Sequence, residues 1–226
     1  NFEIPLIDKT GWSILSKISQ HKKIKDISFI RNRRGELDLT LYKPFITRKN
    51  TGWRLVRGNM ISENEVIEKN GEFVEIESFL NKKSEDFKTF DYNKERLVCQ
   101  QISNVDMQKR LKFAFCEKTD ILGNSCNYIV STRKEEDLKK LYFILNSELL
   151  NWRFKITSSN NHINNYELDE LPIVDLDSFS LSNFSEDANE TVCKLYGLTI
   201  EETNYILGKN KKKKADKIFE YEHETV

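Results

Sequence analysis

The sequence predicts a mixed α+β domain in which short strands dominate and helices gather toward the C-terminus. Residues 36–42 alternate strictly between polar and apolar side chains, which is typical of a half-buried strand. In residues 135–154 the apolar side chains recur at intervals of three and four, which indicates an amphipathic helix. Gly52, Gly58 and Gly71 punctuate the apolar runs between them, so the first half favours short strands joined by turns.

Other elements follow from the same patterns. Residues 11–24 place apolar side chains near helical spacing, which predicts a short amphipathic helix. A turn is predicted at 33–35. Strands are predicted at 27–29, 36–42, 53–56, 73–79, 96–102, 111–117 and 126–130.

The C-terminal part is predicted to be helical. The long helix at 135–154 carries acidic residues in its first turns, where they suit the helix dipole. A polar loop follows at 157–165, and two short helices at 190–195 and 200–207 are joined at Gly197. Residues 209–214 are predicted to form a solvated charged tail. We expect one domain over residues 1–175 and a helical extension with the tail over 176–226.

Charge is balanced overall but unevenly distributed. The chain has 36 basic and 36 acidic residues, which excludes the strongly basic composition typical of many nucleic-acid-binding domains. Between residues 31 and 57, however, the only acids are Glu36 and Asp38. The basic residues of that stretch are Arg31, Arg33, Arg34, Lys43, Arg48, Lys49, Arg54 and Arg57. Any basic surface is therefore expected from this first quarter.

Metal, disulfide and membrane signals are missing from the sequence. The four cysteines form no C-x-x-C pair and the three histidines are scattered, so we expect reduced cysteines and no metal site. No apolar run approaches the ~18 residues that a membrane span needs. The chain begins with Asn1 rather than Met, from which we expect a fragment of a longer cytoplasmic protein.

Catalytic motifs are missing as well. A methyltransferase that uses S-adenosylmethionine needs a glycine-rich turn after a strand, and adenine N6 methylation uses an Asn/Asp-Pro-Pro-Tyr/Phe loop. Pro5, Pro44 and Pro172 are all isolated, and no phosphate-binding glycine loop occurs. We predict no catalytic residue. A metal-dependent nuclease stays open as an alternative, because 86–88 (DFK) and 137–139 (DLK) match the short half of its motif.

Five clusters rich in amides and small polar residues interrupt the apolar strands, at 31–35, 57–59, 100–104, 123–128 and 158–165. Arginine is the usual reader of guanine, and asparagine and glutamine read adenine. Serine, asparagine and lysine position phosphates. Each cluster alone is typical of a turn. Together, at strand ends, they indicate a surface that recognises DNA.

Several blocks, in this order, resemble the TaqI-like C-terminal specificity domain. They are 34–38 (RGELD), 53–58 (WRLVRG), 96–104 (RLVCQQISN), 109–111 (KRL), 123–129 (GNSCNYI), 141–155 (LYFILNSELLNWRFK), 158–173 ending in ELPI, and 193–207. The resemblance spans roughly residues 26–207. Residues 60–92 match nothing in the family, and we interpret them as a variable, sequence-reading part or an insertion.

The resemblance implies the specificity half of a type II, often type IIG, restriction-modification protein of the prokaryotic cytoplasm. Such proteins methylate adenine at N6 with S-adenosylmethionine, and some also cut DNA. The chain would then recognise double-stranded DNA through residues 1–175. An N-terminal methyltransferase domain of the same protein would bind S-adenosylmethionine and flip the target adenine. No cofactor is expected in this chain.

We predict three groups of DNA-binding residues. Phosphate or guanine contacts are expected from Arg33, Arg34, Arg57, Lys109 and Arg110. Polar contacts on the same face are expected from Gln101, Asn104, Asn124, Ser125 and Asn127, and further contacts from Asn160, Asn161 and His162. A second alternative is a protein-interaction module, in which these clusters are only turns.

Overall fold

The computed structural model describes residues 7–68, 71–184 and 187–209, and within them the chain is a mixed α+β domain, as predicted. The helices are α1 (Lys9–Ile18), α2 (Ile76–Leu80), α3 (Glu85–Phe90), α4 (Glu135–Leu145), α5 (Glu148–Lys155), α6 (Asn165–Asp169), α7 (Ala188–Leu195) and α8 (Ile200–Ile206). The strands are β1 (Lys22–Lys23), β2 (Ile30–Arg34), β3 (Ile46–Thr47), β4 (Leu55–Val56), β5 (Phe73–Val74), β6 (Arg96–Gln100), β7 (Phe113–Cys116), β8 (Ile121–Leu122), β9 (Cys126–Ser131) and β10 (Pro172–Ile173).

A four-stranded antiparallel sheet in the order β2-β9-β6-β7 forms the centre of the domain. Its inner strands β6 and β9 are buried along almost their whole length, because both faces of the sheet are covered. That explains why they appear in the sequence as nearly continuous apolar runs rather than as alternating ones. The strands predicted at 96–102, 111–117 and 126–130 are confirmed.

Helices cover one face of the sheet. Leu97 and Ile129 pack there in a core shared with apolar side chains of α1, α4, α5 and α7. The C-terminal helices α7 and α8, predicted from sequence, are confirmed, and Gly197 joins them with a left-handed φ of +70°. α7 thus contributes to the same core as the sheet. Residues 210–214 of the expected charged tail lie outside the described part.

Of two smaller apolar clusters, the first covers the other face of the sheet and the second is formed by segments outside the four strands. One includes Val98 and Tyr128 from the sheet together with Met60. The other joins Leu37 to Phe79 of α2. The strand predicted at 73–79 is therefore correct only for β5, since the chain turns into α2 at Ile76.

The strand predicted at 36–42 is wrong. Glu36 forms a buried ion pair of 3.0 Å with Arg96 of β6, which anchors the segment to the side of the sheet. The carboxylate of Asp38 then accepts hydrogen bonds of 2.9 Å from the main-chain nitrogens of Thr40 and Leu41, which turns the chain. Only Leu37 pairs, in an isolated bridge with Gly123, and Leu41 is left exposed, so no strand forms.

Other boundaries also differ from prediction. The helix predicted at 11–24 is α1, which ends at Ile18, and residues 22–23 form β1. No strand forms at 27–29, and the turn predicted at 33–35 is occupied by the end of β2, which pairs with β9 through Arg34. The single helix predicted at 135–154 is two helices, α4 and α5. They separate at Ser147, whose side chain accepts a hydrogen bond of 3.2 Å from the nitrogen of Leu150 and so caps α5.

Candidate nucleic-acid interface

The polar clusters meet at one end of the sheet. Because neighbouring strands are antiparallel, β2 and β6 end where β9 and β7 begin. The loops 57–59, 101–110, 123–125 and 158–163 come together there with Arg34 at the end of β2, and we name this region the polar end. The fold thereby brings together loops that lie more than a hundred residues apart in the sequence, such as 57–59 and 158–163.

The 123–125 loop is the centre of the polar end. The carbonyl oxygen of Asn124 accepts a hydrogen bond of 2.9 Å from Nε of Arg34. The hydroxyl of Ser125 accepts one of 2.9 Å from the nitrogen of Gly58, and its carbonyl oxygen accepts one of 2.9 Å from the nitrogen of Gln101. Hydrogen bonds thus hold the predicted clusters 31–35, 57–59 and 100–104 against the cluster 123–128.

The fifth cluster, in the loop between α5 and α6, attaches to the β6–β7 loop. The nitrogen of Ser103 donates a hydrogen bond of 2.8 Å to the carbonyl oxygen of Asn161, and the nitrogen of Ile163 donates one of 2.7 Å to that of Gln101. The side-chain oxygen of Asn161 also accepts 2.8 Å from the nitrogen of Val105. The two loops therefore form one surface.

Arg110 is a correction to the predicted site, because it is fully buried and cannot contact DNA. Its guanidinium donates to the carbonyl oxygens of Asn160 at 2.6 Å, Ser158 at 3.1 Å and Ser103 at 3.3 Å. Burial lowers the pKa of Arg110, and its ring partner is Phe154 of α5. It ties the two loops of the polar end together from beneath.

Asn127 is a second correction. It is also fully buried, within β9, and its side-chain nitrogen donates a hydrogen bond of 2.6 Å to the carbonyl oxygen of Ile163. Its alternation with the apolar neighbours Cys126 and Tyr128 places it on the helix-covered face with Ile129. The alternation of side chains along the strand would have predicted that Asn127 points into the core, and the sequence analysis did not use it.

Three predicted basic residues are paired with acids. Arg33 lies 3.2 Å from Asp86 on the sheet face opposite to Arg34. Lys109 lies 2.5 Å from Glu63, a hydrogen bond that lowers the pKa of this carboxyl group. Arg57 similarly lies 2.8 Å from Glu72. Lys109 belongs to the 101–110 loop of the polar end, whereas Arg33 stands beside it.

Exposed amides form part of the outer surface of the polar end, together with apolar side chains and the carboxylate of Asp106. Asn104, Asn160 and Asn161 each use their side-chain oxygen to accept a main-chain hydrogen bond within the loops. Among the described residues, no acceptor is recorded for their NH2 groups, which are exposed with His162. Asn124 differs, because its NH2 group donates 2.9 Å to Asp38. The loops are thus fixed while donors point to solvent.

Sequence reasoning missed an apolar side chain at this end. Ile102 is 61% exposed, although it is flanked by polar residues and its main chain bridges His162. Lys155, which directly follows the helix predicted at 135–154, was also missed. Its ammonium group donates 2.9 Å to the carbonyl oxygen of Met107 in the β6–β7 loop. Exposed apolar side chains carry no distinctive sequence signal.

The two acidic triplets of the nuclease alternative both have their aspartates engaged in ion pairs. Asp137 is buried and ion-paired with Arg133 at 2.8 Å, and Asp86 is paired with arginines of β2. In the described part of the chain, no group of three or more His, Cys, Asp or Glu side chains is placed to hold a metal. The four cysteines are buried and unbridged.

No helix within the described ranges combines the length and the apolar character needed to cross a membrane.

The family described as the TaqI-like C-terminal specificity domain matches residues 54–173, which is more than half of the chain. The chain belongs to this family. The match ends at β10, so that it includes four of the five polar clusters. This membership makes it a DNA-recognition domain of the restriction-modification type.

The chain matches no curated protein. Among solved structures it is similar to the type IIG restriction endonuclease BpuSI, with a TM-score of 0.52 and 10% identity over 83% of this chain and 28% of that one. It also matches the type IIL restriction-modification enzyme MmeI in complex with DNA, with a TM-score of 0.41 and 10% identity over 83% and 33%. The chain spans a third or less of both structures. The likeness to BpuSI concerns the fold.

Proposed function

We propose that the polar end binds duplex DNA and reads base edges in the major groove for an adenine-specific restriction-modification methyltransferase. The observation that carries this proposal is the convergence of five polar clusters at one sheet end. Loops held by so many internal hydrogen bonds present their donors in fixed positions, which sequence recognition requires.

Several exposed groups at the polar end have a matching chemistry on DNA. The guanidinium of Arg34 suits guanine or a phosphate, and the amides of Gln101 and Asn104 suit adenine edges. Asn160, Asn161 and His162 would extend these contacts along the duplex. The apolar side chain of Ile102 suits the methyl group of thymine.

Methylation would be performed by the parent protein. A catalytic domain there would bind S-adenosylmethionine and take the adenine out of the stack, while this chain holds the site. Residues 1–175 would carry recognition, and α7 and α8 would support it by packing against α1 and α5. Such an enzyme would act in the prokaryotic cytoplasm. Family membership supports this role, and so does the restriction endonuclease named for the structural neighbour BpuSI.

Salt-dependent selection from random duplex DNA tests the proposal. The chain is incubated with a pool of random duplexes, and the retained sequences are determined. We expect enrichment of a short motif that contains adenine, and an affinity that falls as salt rises. Cleavage of the pool by the chain with a divalent metal would favour the nuclease instead, and no retention at low salt would favour a protein-interaction module.

Paired variants locate the interface. Arg34→Gln removes one charge at the polar end, whereas Lys118→Gln removes one at the opposite end of the sheet, just after β7. Both side chains are exposed, so both variants should fold. We expect Arg34→Gln to weaken binding and Lys118→Gln to leave it unchanged. Equal effects would place the interface elsewhere.

A further inference from the structure

A basic cleft opens beside the polar end. It has a volume of about 540 Å³ and lies between the turn that follows Leu39 and the strand β3. Its cationic lining residues are Lys43, Arg48 and Arg57, and Thr47 contributes a hydroxyl. The volume is within the range of ordinary ligand clefts.

The charge of this cleft is positive. Among its lining residues, Glu72 is the one carboxylate, and it forms an ion pair of 2.8 Å with Arg57. Lys43 and Arg48 are exposed, and no ion-pair partner is recorded for either among the described residues. This sets them apart from Arg31, which is held by Asp86 and Asp91. Two uncompensated cations therefore face one open volume.

The cleft is continuous with the polar end. Arg57, in its wall, immediately precedes Gly58, whose nitrogen is bonded to Ser125. Leu39, also in its wall, lies against Gly123, where a Cβ added to the glycine would be 3.4 Å from the leucine side chain. A duplex seated on the polar end would thus pass the mouth of the cleft.

The polar end itself supplies little charge. Its exposed surface consists of amides, apolar side chains and the carboxylate of Asp106, and Lys109 is paired with Glu63 at 2.5 Å. Affinity of proteins for duplex DNA depends largely on cations that displace counterions from phosphates. Beyond Arg34, further phosphate contacts are therefore expected outside the groups that read bases.

We propose that the cleft of Lys43 and Arg48 binds a backbone phosphate of the DNA that is read by the polar end. This inference rests on the function proposed above and adds a phosphate site to it. Lys43 and Arg48 would contact phosphate oxygens, while Arg57 stays paired with Glu72 and shapes the wall. The site carries no sequence information, so it sets affinity and register.

Charge-removing variants test this site by their effect on the salt dependence of binding. Lys43→Gln, Arg48→Gln and the double variant are compared with the unaltered chain and with Lys118→Gln. Affinity is measured over a series of salt concentrations, on the selected duplex and on an unrelated one. The double variant should reduce the slope of log affinity against log salt by about 1 to 2. The loss should be equal on both duplexes, and the enriched motif should stay the same.

The outcomes separate the site from the broader function. An unchanged slope in the double variant, together with weakened binding by Arg34→Gln, overturns the phosphate site and leaves DNA recognition intact. Failure of the unaltered chain to retain any duplex overturns both. A third test titrates inorganic phosphate and follows the main-chain amide resonances of Thr47 and Arg48. Saturation by phosphate without competition against DNA would show a site for the free anion and would also overturn the proposal.

Discussion

The main-chain nitrogen of Gly58 donates a hydrogen bond of 2.9 Å to the hydroxyl of Ser125, and the two main chains nearly touch at this point. A Cβ added to Gly58 would lie 2.4 Å from the carbonyl oxygen of Ser125. That same oxygen accepts the hydrogen bond from Gln101. One close approach therefore sets the spacing of three loops of the polar end.

Gly58→Ala should disturb this spacing. The added methyl group would push against main-chain atoms, which cannot move aside as a side chain can, and we expect a loss of stability of about 1–3 kcal/mol. Ser125→Ala is the matched control, because it removes one hydrogen bond worth about 1 kcal/mol without a clash. Urea unfolding measures both. A Gly58→Ala chain as stable as the unaltered one would show that the loops can separate freely.

Arg110 should be important for local order at the polar end. Arg110→Met removes the donors to three loop carbonyl oxygens, and we expect destabilisation of about 3 kcal/mol. The main-chain amides of Ser103 and Ile163 should also lose protection from hydrogen exchange. Lys109→Gln tests the adjacent exposed ion pair, which is worth at most about 1 kcal/mol. Equal effects of the two variants would contradict the role of Arg110 beneath the loops.

The sheet could be predicted from the sequence, whereas the segment after β2 could not. The runs at 96–102, 111–117 and 126–130 are apolar enough to need burial in any arrangement. Residues 36–42 alternate just as clearly, but Glu36 is bound to Arg96, which is sixty positions away. Such a contact depends on the tertiary structure, and it overrides the local preference for a strand.

The candidate site shows the same division. Placement of the amide clusters at strand ends was sufficient to predict a shared surface, because antiparallel strands bring alternate ends together. Side-chain direction was not predictable from residue type, and Arg110 therefore appeared equivalent to Arg34. For the phosphate cleft, the sequence showed only an excess of basic residues. The fold was needed to show that Arg57 is paired with Glu72.

Glu202 of α8 should make stability depend on acid pH. Burial alone would raise its pKa, but hydrogen bonds from Lys17, from the nitrogen of Thr199 and from Ser13 together lower that pKa to about 2. Because the folded pKa lies below the ordinary value of 4.5, the ionised form stabilises the fold. This contribution is complete above pH 4.5 and is lost as the pH falls from 4.5 to about 2.

Glu202→Gln tests that linkage. At pH 7 we expect a loss of roughly 2–3 kcal/mol in the free energy of unfolding. The difference from the unaltered chain should shrink between pH 4.5 and about 2, as the carboxyl group of the latter becomes protonated. Glu201→Gln changes an exposed neighbour on the same helix and serves as control. A pH-independent difference would refute the linkage.

Ile102 should affect sequence preference rather than overall affinity. Its side chain is 61% exposed and carries no charge, so Ile102→Ala leaves the salt dependence unchanged. If it contacts a thymine methyl group, replacement of that thymine by uracil weakens binding of the unaltered chain, by an amount corresponding to about 1–3 kcal/mol at most. Ile102→Ala should then no longer distinguish thymine from uracil at that position.

The thymine test is made one position at a time on the selected duplex. Ile200→Ala is the control, since Ile200 is 84% exposed and lies on α8, outside the loops of the polar end. It should retain the full discrimination of the unaltered chain. A uracil effect that persists in Ile102→Ala would assign the methyl contact to another side chain. Loss of discrimination in Ile102→Ala alone would identify Ile102 as one of the residues that read the sequence.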